Sequence, residues 1–392
     1  MHIPPSAGPT VRPPSGRYIF LASPWAPMGG GMLRVAEYLI QAQDAASVGA
    51  ELRPLDTRGG ASALYSLWVL ATALVRIVRG RLSGRLAGVH VNMAERLSLF
   101  RKSAVVLLCR LLGIPVVLHL HAAQFEPFYR RLPRLLQRLT RWVFSLPASC
   151  IVLGSAAQRF VTGELQVPPS RVEVIFNGAP EPTQARRRAG ACPMREVLFV
   201  GNLSERKGVS DLLHALALPG LDTSRLHVTL AGGGDVAGYR ATARQLGIAS
   251  FVHFAGWSDQ QQVAQLMAQA DVLVLPSYDE GLPLVILEAL ANGVAVVCSP
   301  VGEIPNVLQD GVSACFVQPG DSAGIAASVQ RVLSEPAFRQ ALECNGRRLY
   351  EQQFSLARFS ASVARLHQRH FGNGQTHGGA DKDSAHAPKA SS

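Results

Sequence analysis

No stretch of the 392-residue chain reaches the ~18 uninterrupted apolar residues of a membrane-spanning helix. The longest apolar segment, Ala61 to Val75, is broken by serines and ends at Arg76. The start, Met1-His2-Ile3-Pro4-Pro5-Ser6, has no charged run leading into an apolar core, which argues against a secretory signal. Six cysteines lie scattered at Cys109, Cys150, Cys192, Cys298, Cys315 and Cys344, mostly inside apolar runs, and no two have metal-ligand spacing. Buried free thiols in a reducing, cytoplasmic compartment are therefore expected. No GxxxxGK[ST] phosphate loop occurs, and Gly29-Gly30-Gly31 does not have the spacing of a dinucleotide fingerprint. Acids are short in the first half: residues 1–190 hold 9 Asp and Glu against 23 Lys and Arg, a net of +14, whereas residues 191–392 hold 18 against 15. No nucleic-acid-binding signature accompanies that charge, so the asymmetry points to another anionic surface facing one half of the molecule.

What is present is globular. The chain is 48% hydrophobic and long enough for two or three domains. Short apolar runs alternate with helical patterns, which predicts an α/β protein of two doubly wound parallel sheets facing each other across a cleft. Residues 1–16, rich in Pro, Ser and Gly, read as a flexible leader. An N-terminal Rossmann-like domain is expected over 17–180, with strands at Tyr18–Ala22, Gly88–Asn92, Pro115–His121, Cys150–Leu153 and Val172–Phe176. Ala179 to Met194, with Arg186-Arg187-Arg188, reads as the linker, and 195–350 as the C-terminal domain. A helix over 354–370 is expected to pack back across the junction, followed by a disordered tail over 372–392.

The stretch that organises the chemistry is Ser277–Leu290, behind the apolar run Asp271–Leu275. It reads as a buried strand, a loop holding Glu280, and a helix opened by Pro283, closed by Asn292-Gly293 and carrying Glu288. Loop amides at a helix start bind anions and hydroxyl-rich groups, and the two carboxylates could grip sugar hydroxyls. On the residues alone, two solvated acids on an ordinary α/β connection fit as well. His119 and His121 share one face of their strand, at the end where ligands bind in such sheets. In the helix opened by Pro133, Arg134, Arg138 and Arg141 line one face beside an apolar stripe of Leu135, Leu139 and Trp142. That pattern suits a membrane surface, or a solvated helix packed on a sheet.

Glu280 and Glu288 form an E-x7-E pair within Glu-Gly-Leu-Pro-Leu-Val-Ile-Leu-Glu. With Phe199-Val200-Gly201-Asn202-Leu203, Arg206-Lys207-Gly208, Leu230-Ala231-Gly232-Gly233-Gly234 and Val174-Ile175-Phe176-Asn177-Gly178, it resembles the retaining glycosyltransferases of family four, which have the GT-B fold. The similarity is dense over 196–320 and looser over 17–178.

The resemblance implies roles by position. Glu288 would bind the ribose of a nucleotide-sugar, and Glu280, Gly281 and Leu282 the donor sugar and its phosphate-proximal side. Lys207 would neutralise the departing diphosphate. His121 would lie beside the donor sugar and acceptor, with Gly30 and Gly31 approaching the diphosphate from the opposite wall. Asn202, Arg206 and Gly233 complete the donor loops, and Trp257 and Ser258 lie near the base. The donor would be UDP- or GDP-linked, with no metal and no other cofactor. One departure is visible: the family commonly carries Arg where this chain has Asn202, and an amide supplies no charge. The expected activity is sugar transfer to a lipid-linked or oligosaccharide acceptor in exopolysaccharide or cell-surface polysaccharide synthesis, at the inner face of the cell membrane through the basic N-terminal half. A nucleotide-sugar epimerase, a phosphorylase and a non-catalytic sugar-nucleotide-binding subunit remain as alternatives; a phosphorylase of this fold would need a lysine for pyridoxal phosphate, and lysine is scarce here.

Overall fold

The structure, a computed structural model, describes residues 16–25, 30–43, 50–60, 62–121, 124–184 and 194–372. Residues 1–15 of the expected leader, Gly29, the Arg186–Arg188 run, Cys192 and the tail from 373 lie outside the described residues.

Two six-stranded parallel sheets form the framework. The first comprises β1 (Tyr18–Ser23), β2 (Glu51–Asp56), β3 (Leu86–Met93), β4 (Val116–Leu120), β5 (Ser149–Val152) and β6 (Val172–Val174), in the order β2-β1-β3-β4-β5-β6. The second comprises β7 (Arg195–Val200), β8 (Leu226–Ala231), β9 (Val252–Gly256), β10 (Val272–Leu275), β11 (Ala295–Cys298) and β12 (Cys315–Phe316), in the order β12-β11-β10-β7-β8-β9. Every residue of β1, β3, β4, β5, β10 and β11 is buried. That is why these strands read as continuous apolar runs: helices cover both faces of a parallel sheet.

Strand order reverses between β1 and β3 in the first sheet and between β7 and β10 in the second. Loops at such switch points open a crevice at the carboxyl ends of the strands. The segments carrying Gly30, Gly31, Lys207 and Glu280 all leave those four strands or follow directly after them.

The C-terminal helix Leu356–Phe371 crosses back to the first sheet, where Phe359, Val363, Leu366 and Phe371 pack with Ile19, Leu21, Val117 and Ile151. The crossing is pinned at Ala179. Its amide donates to the Phe354 carbonyl at 2.9 Å, and its carbonyl accepts from the Leu356 amide at 2.8 Å and the Tyr350 hydroxyl at 3.0 Å.

Several features differ from the sequence reading. Strand β2 was not expected: it is an edge strand with only Leu52 and Leu55 buried, and Arg53 and Pro54 break any apolar run. Helix Ala63–Leu82, with 20 residues, is long and apolar enough to cross a membrane by length and composition. The segment reads from the sequence as an apolar helix over 64–85, but Ser66, Thr72 and Arg76 interrupt its apolar run. In the fold its Val69, Ala73, Ile77 and Gly80 are buried against the domain, so the helix lies along it. Finally, Cys109, Cys150, Cys298 and Cys315 are buried free thiols, but Cys344 is exposed.

Candidate active site

A cleft of about 920 Å³ separates the two sheets' loop ends. All eleven residues singled out from the sequence line it: Gly30, Gly31, His121, Asn202, Arg206, Lys207, Gly233, Glu280, Gly281, Leu282 and Glu288. Trp257 and Ser258 line it too.

The C-terminal wall is two interlaced loops. After β7, the chain makes a short 3-10 turn over Glu205–Lys207 and then helix Val209–Leu216. After β10, Pro276–Pro283 leads into helix Leu284–Ala291. The Tyr278 amide donates to the Arg206 carbonyl at 2.9 Å, and Arg206 Nη1 donates to the Asp279 carbonyl at 2.6 Å. Lys207 Nζ, partly buried, forms an ion pair with Oε1 of the buried Glu280. Gly208, at φ +68°, turns between the 3-10 turn and the helix, and a Cβ there would overlap the Pro276 carbonyl oxygen. A left-handed glycine is required for that approach. Lys207 and Glu280 therefore present one cation and one carboxylate from a rigid pair of loops.

Glu288 lies on the first turns of helix Leu284–Ala291 and is held from the other domain. Helix Gly31–Gln41 brings Arg34 and Tyr38, one turn apart, onto the same side. Tyr38 donates its hydroxyl proton to Glu288 Oε1 at 2.8 Å, and Arg34 Nη1 lies 3.4 Å from the same oxygen. Burial, then the Glu288 charge, raises the Tyr38 pKa well above its ordinary value, so the phenol stays a donor. Burial pulls the Arg34 guanidinium down, but Glu288 and Tyr38 more than offset it, and its net shift is upward. Sequence reasoning missed both residues, because no motif marks a contact between positions 250 residues apart. A second interdomain carboxylate, Glu303, accepts from the Ala156 amide at 2.7 Å and caps helix Ser155–Gly163.

On the N-terminal wall, His121 follows β4 at the cleft surface, its ring 3.9 Å from that of His119. His121 Nε2 lies 3.2 Å from Asn92 Oδ1, which as an acceptor assigns the proton to Nε2. Behind them a buried array continues: His119 Nδ1 lies 3.2 Å from His90 Nε2, and His90 Nδ1 lies 2.8 Å from Nε2 of His367 on the C-terminal helix. Burial pushes His90 and His121 down to about 3, with Lys102 adding to it in both. The array is neutral at neutral pH, so positive charge at the cleft comes from Arg34, Arg96, Arg206 and Lys207. Asn177, buried at the cleft with an unpartnered Oδ1, is a further polar group facing it. Its Asn-Gly position after β6 is visible in the sequence only as a turn. Among the described residues no cluster of metal-ligating side chains occurs.

Comparison with known proteins gives the same division of the chain. The profile of "Glycosyltransferase Family 4" matches residues 29–181 and that of "Glycosyl transferases group 1" matches residues 191–349. A D-inositol 3-phosphate glycosyltransferase of Actinosynnema mirum is 33% identical over 204 residues, covering 47% of this chain and 49% of its own length. An MMP alpha-(1->4)-mannosyltransferase of Mycolicibacterium hassiacum is 28% identical over 248 residues, covering 62% of this chain and 59% of its own. The chain thus spans less than two thirds of the length of these curated relatives. Among solved structures, sucrose-phosphate synthase from Thermosynechococcus elongatus superposes with a TM-score of 0.74 at 19% identity, covering 90% of this chain and 98% of that one. Anabaena HepE, in complex with UDP-glucose, superposes with a TM-score of 0.68 at 17% identity, covering 89% and 98%. Two matched domains, two doubly wound sheets and the cleft between them place this chain in family four of the GT-B glycosyltransferases.

Proposed function

We propose that this protein is a retaining glycosyltransferase that moves a sugar from a UDP- or GDP-linked donor to a lipid-linked glycan acceptor in exopolysaccharide or cell-surface polysaccharide synthesis. The observation that carries the reading is the convergence of Lys207, Glu280 and Glu288 on one cleft whose opposite wall is Gly30–Gly31 and His121. In this reading the bond between the sugar's anomeric carbon and the diphosphate breaks, and negative charge grows on the departing phosphate. Lys207, with Arg206 beside it, stabilises that charge, and the Gly281–Leu282 end of helix Leu284–Ala291 adds its dipole. Glu280, paired to Lys207, accepts hydroxyls of the sugar, and Glu288 those of the ribose. An acceptor hydroxyl bonds to the anomeric carbon on the face that the diphosphate leaves, and its proton passes to the departing phosphate oxygen. Homologous and structurally similar proteins that bind UDP-glucose or transfer mannosyl units support the donor class.

The lipid-linked acceptor rests on the N-terminal surface. Leu64, Leu67 and Trp68 on helix Ala63–Leu82, Leu97 and Phe100 on helix Leu97–Leu111, and Leu135, Leu139 and Trp142 on helix Arg134–Ser145 are all exposed. Clustered exposed apolar side chains on a domain rich in arginine suit an anionic bilayer surface.

The test is a panel of nucleotide-sugars assayed for thermal stabilisation, followed by turnover with the one that binds. Glu288→Ala is expected to abolish turnover while the fold melts as before; unchanged turnover would sink the assignment.

A further inference from the structure

The contacts to Glu288 are one-sided. Tyr38 and Arg34 both engage Oε1, and Oε2 has no hydrogen-bond partner among the described residues. Glu288 also lies between two cavities: the main cleft and a second one of about 200 Å³, lined by Arg34, Tyr38, Gln41, Met267 and Glu288 among others. A free glutamate side chain at such a boundary has rotamers toward either space. The phenol of Tyr38, nearly fully buried, and the Arg34 guanidinium fix it to one. A carboxylate has acceptor sites on both oxygens, so filling Oε1 leaves Oε2 for a ligand.

We propose that Arg34 and Tyr38 are positioning residues of the donor site: they anchor Glu288 Oε1 so that Oε2 is held ready for the ribose hydroxyls. This rests on the reading of Glu288 as the ribose carboxylate. Because Arg34 and Tyr38 belong to the N-terminal domain and Glu288 to the C-terminal one, the ribose subsite is complete only when the two domains are together. Selection for the ribose is then a property of both domains together. A pre-set carboxylate also loses less freedom on binding, which strengthens the bond it makes.

The experiment compares binding of uridine diphosphate with its 2′-deoxy and 3′-deoxy analogues, or the guanosine series where the protein prefers it. Wild type is expected to favour the ribonucleotide by roughly tenfold or more over at least one deoxy form, since a hydrogen bond to a charged acceptor is lost. Glu288→Ala is expected to erase that ratio. Tyr38→Phe and Arg34→Gln are each expected to reduce it by about threefold or more, raising KM for the donor with kcat nearly unchanged, and Arg34→Lys to restore part of it. Melting temperatures of the same variants separate a lost subsite from a lost fold. If Glu288→Ala erases the ratio while Tyr38→Phe and Arg34→Gln keep it in full, the positioning role is wrong and the ribose reading stands. A rise in ribonucleotide affinity in Tyr38→Phe also overturns it, since the tyrosine then competes with the ribose. If Glu288→Ala keeps the ratio, or neither diphosphate series binds, the ribose reading itself fails.

Discussion

The two halves of the molecule solve the same folding problem in different ways. The C-terminal half gathers its buried apolar residues into one cluster that runs from Val197 to Phe354 and includes Ala179 of the linker. The N-terminal sheet is served by three separate clusters, one of them completed by the C-terminal helix. Exposed large apolar side chains follow the same split. Leu64, Trp68, Leu82, Leu97, Leu111 and Leu135 are all more than 60% exposed, and no large apolar side chain among the described C-terminal residues reaches that value. Charge divides likewise, a net of +14 in residues 1–190 against 15 basic and 18 acidic residues after them. One continuous core gives loops a rigid base. Under the proposed function that contrast becomes a division of labour: the near-neutral half with one continuous core would hold the nucleotide-sugar, and the basic half with apolar groups on its surface would meet the larger acceptor.

The comparison breaks most sharply at Lys207. If the C-terminal wall is a finished site for a diphosphate, Lys207→Ala removes its partly buried cation and leaves Glu280 without its partner. Turnover is expected to fall by about 10²–10³-fold, the size found when one charge-stabilising donor is removed. Steady-state kinetics with the donor found by the panel check this, and a loss under tenfold would mean that the charge is handled from the N-terminal wall.

Acid should separate the halves next. His90 and His121 are held near 3 in the folded chain, below the ~6.5 of an unfolded histidine. Between those values the unfolded chain binds the extra protons, so stability falls as pH falls from about 6.5 toward 3, and is fully present above 6.5. Each histidine contributes about 1.4 kcal/mol per pH unit in that window, so these two alone remove about 4 kcal/mol by pH 5. Because His367 bonds to His90, helix Leu356–Phe371 and strands β3 and β4 are expected to lose amide protection first. Hydrogen exchange at pH 7 and pH 5 measures it; equal loss in both sheets would contradict the contrast.

How much of this was legible in the sequence follows from distance along the chain. The fold class was, because parallel strands buried on both faces leave runs such as Val272–Leu275 that need no partner to be recognised. Glu280 and Glu288 were nameable because strand, loop and helix are contiguous, and the period-2 rule put His119 and His121 on one face, where their rings meet. Edge strand β2 and helices Ser322–Ser334 and Pro336–Leu349 escaped, since their apolar positions are interrupted and are completed only by packing. The partners of the named residues escaped for the same reason. Tyr38 reaches Glu288, and His367 reaches His90 from 277 positions away, only after both sheets are assembled.

At the N-terminal surface the expected effect is smaller. Replacing Leu64, Leu67 and Trp68 by serine is expected to weaken binding to phosphatidylglycerol-containing vesicles about tenfold, while melting shifts little, because these side chains are already exposed. Replacing Arg134, Arg138 and Arg141 by glutamate should weaken it further at low salt than at high salt. Co-sedimentation reads both. Vesicle binding equal to that of the parent protein would remove the membrane from the comparison and leave the patch for another partner.

The smallest effect is expected at Asn202, where the family commonly has arginine. Asn202 lines the cleft beside Gly233, with Arg206 and Lys207 in the same loop region. Lys207 is partly buried and paired, and Arg206, half-exposed, donates to the Asp279 carbonyl and lies 3.9 Å from its carboxylate. A third cation at 202 would sit in partly solvated space beside two others, where an added ion pair contributes ~0.2–1 kcal/mol. Asn202→Arg is therefore expected to lower donor KM by roughly two- to threefold with kcat in the same range, less at high salt. Asn202→Asp should move KM the opposite way. A hundredfold gain in turnover would instead mean that the native wall is short of charge. The C-terminal half would then be rigid without being complete, and the contrast between a finished donor wall and an adaptable surface would have to be redrawn at this residue.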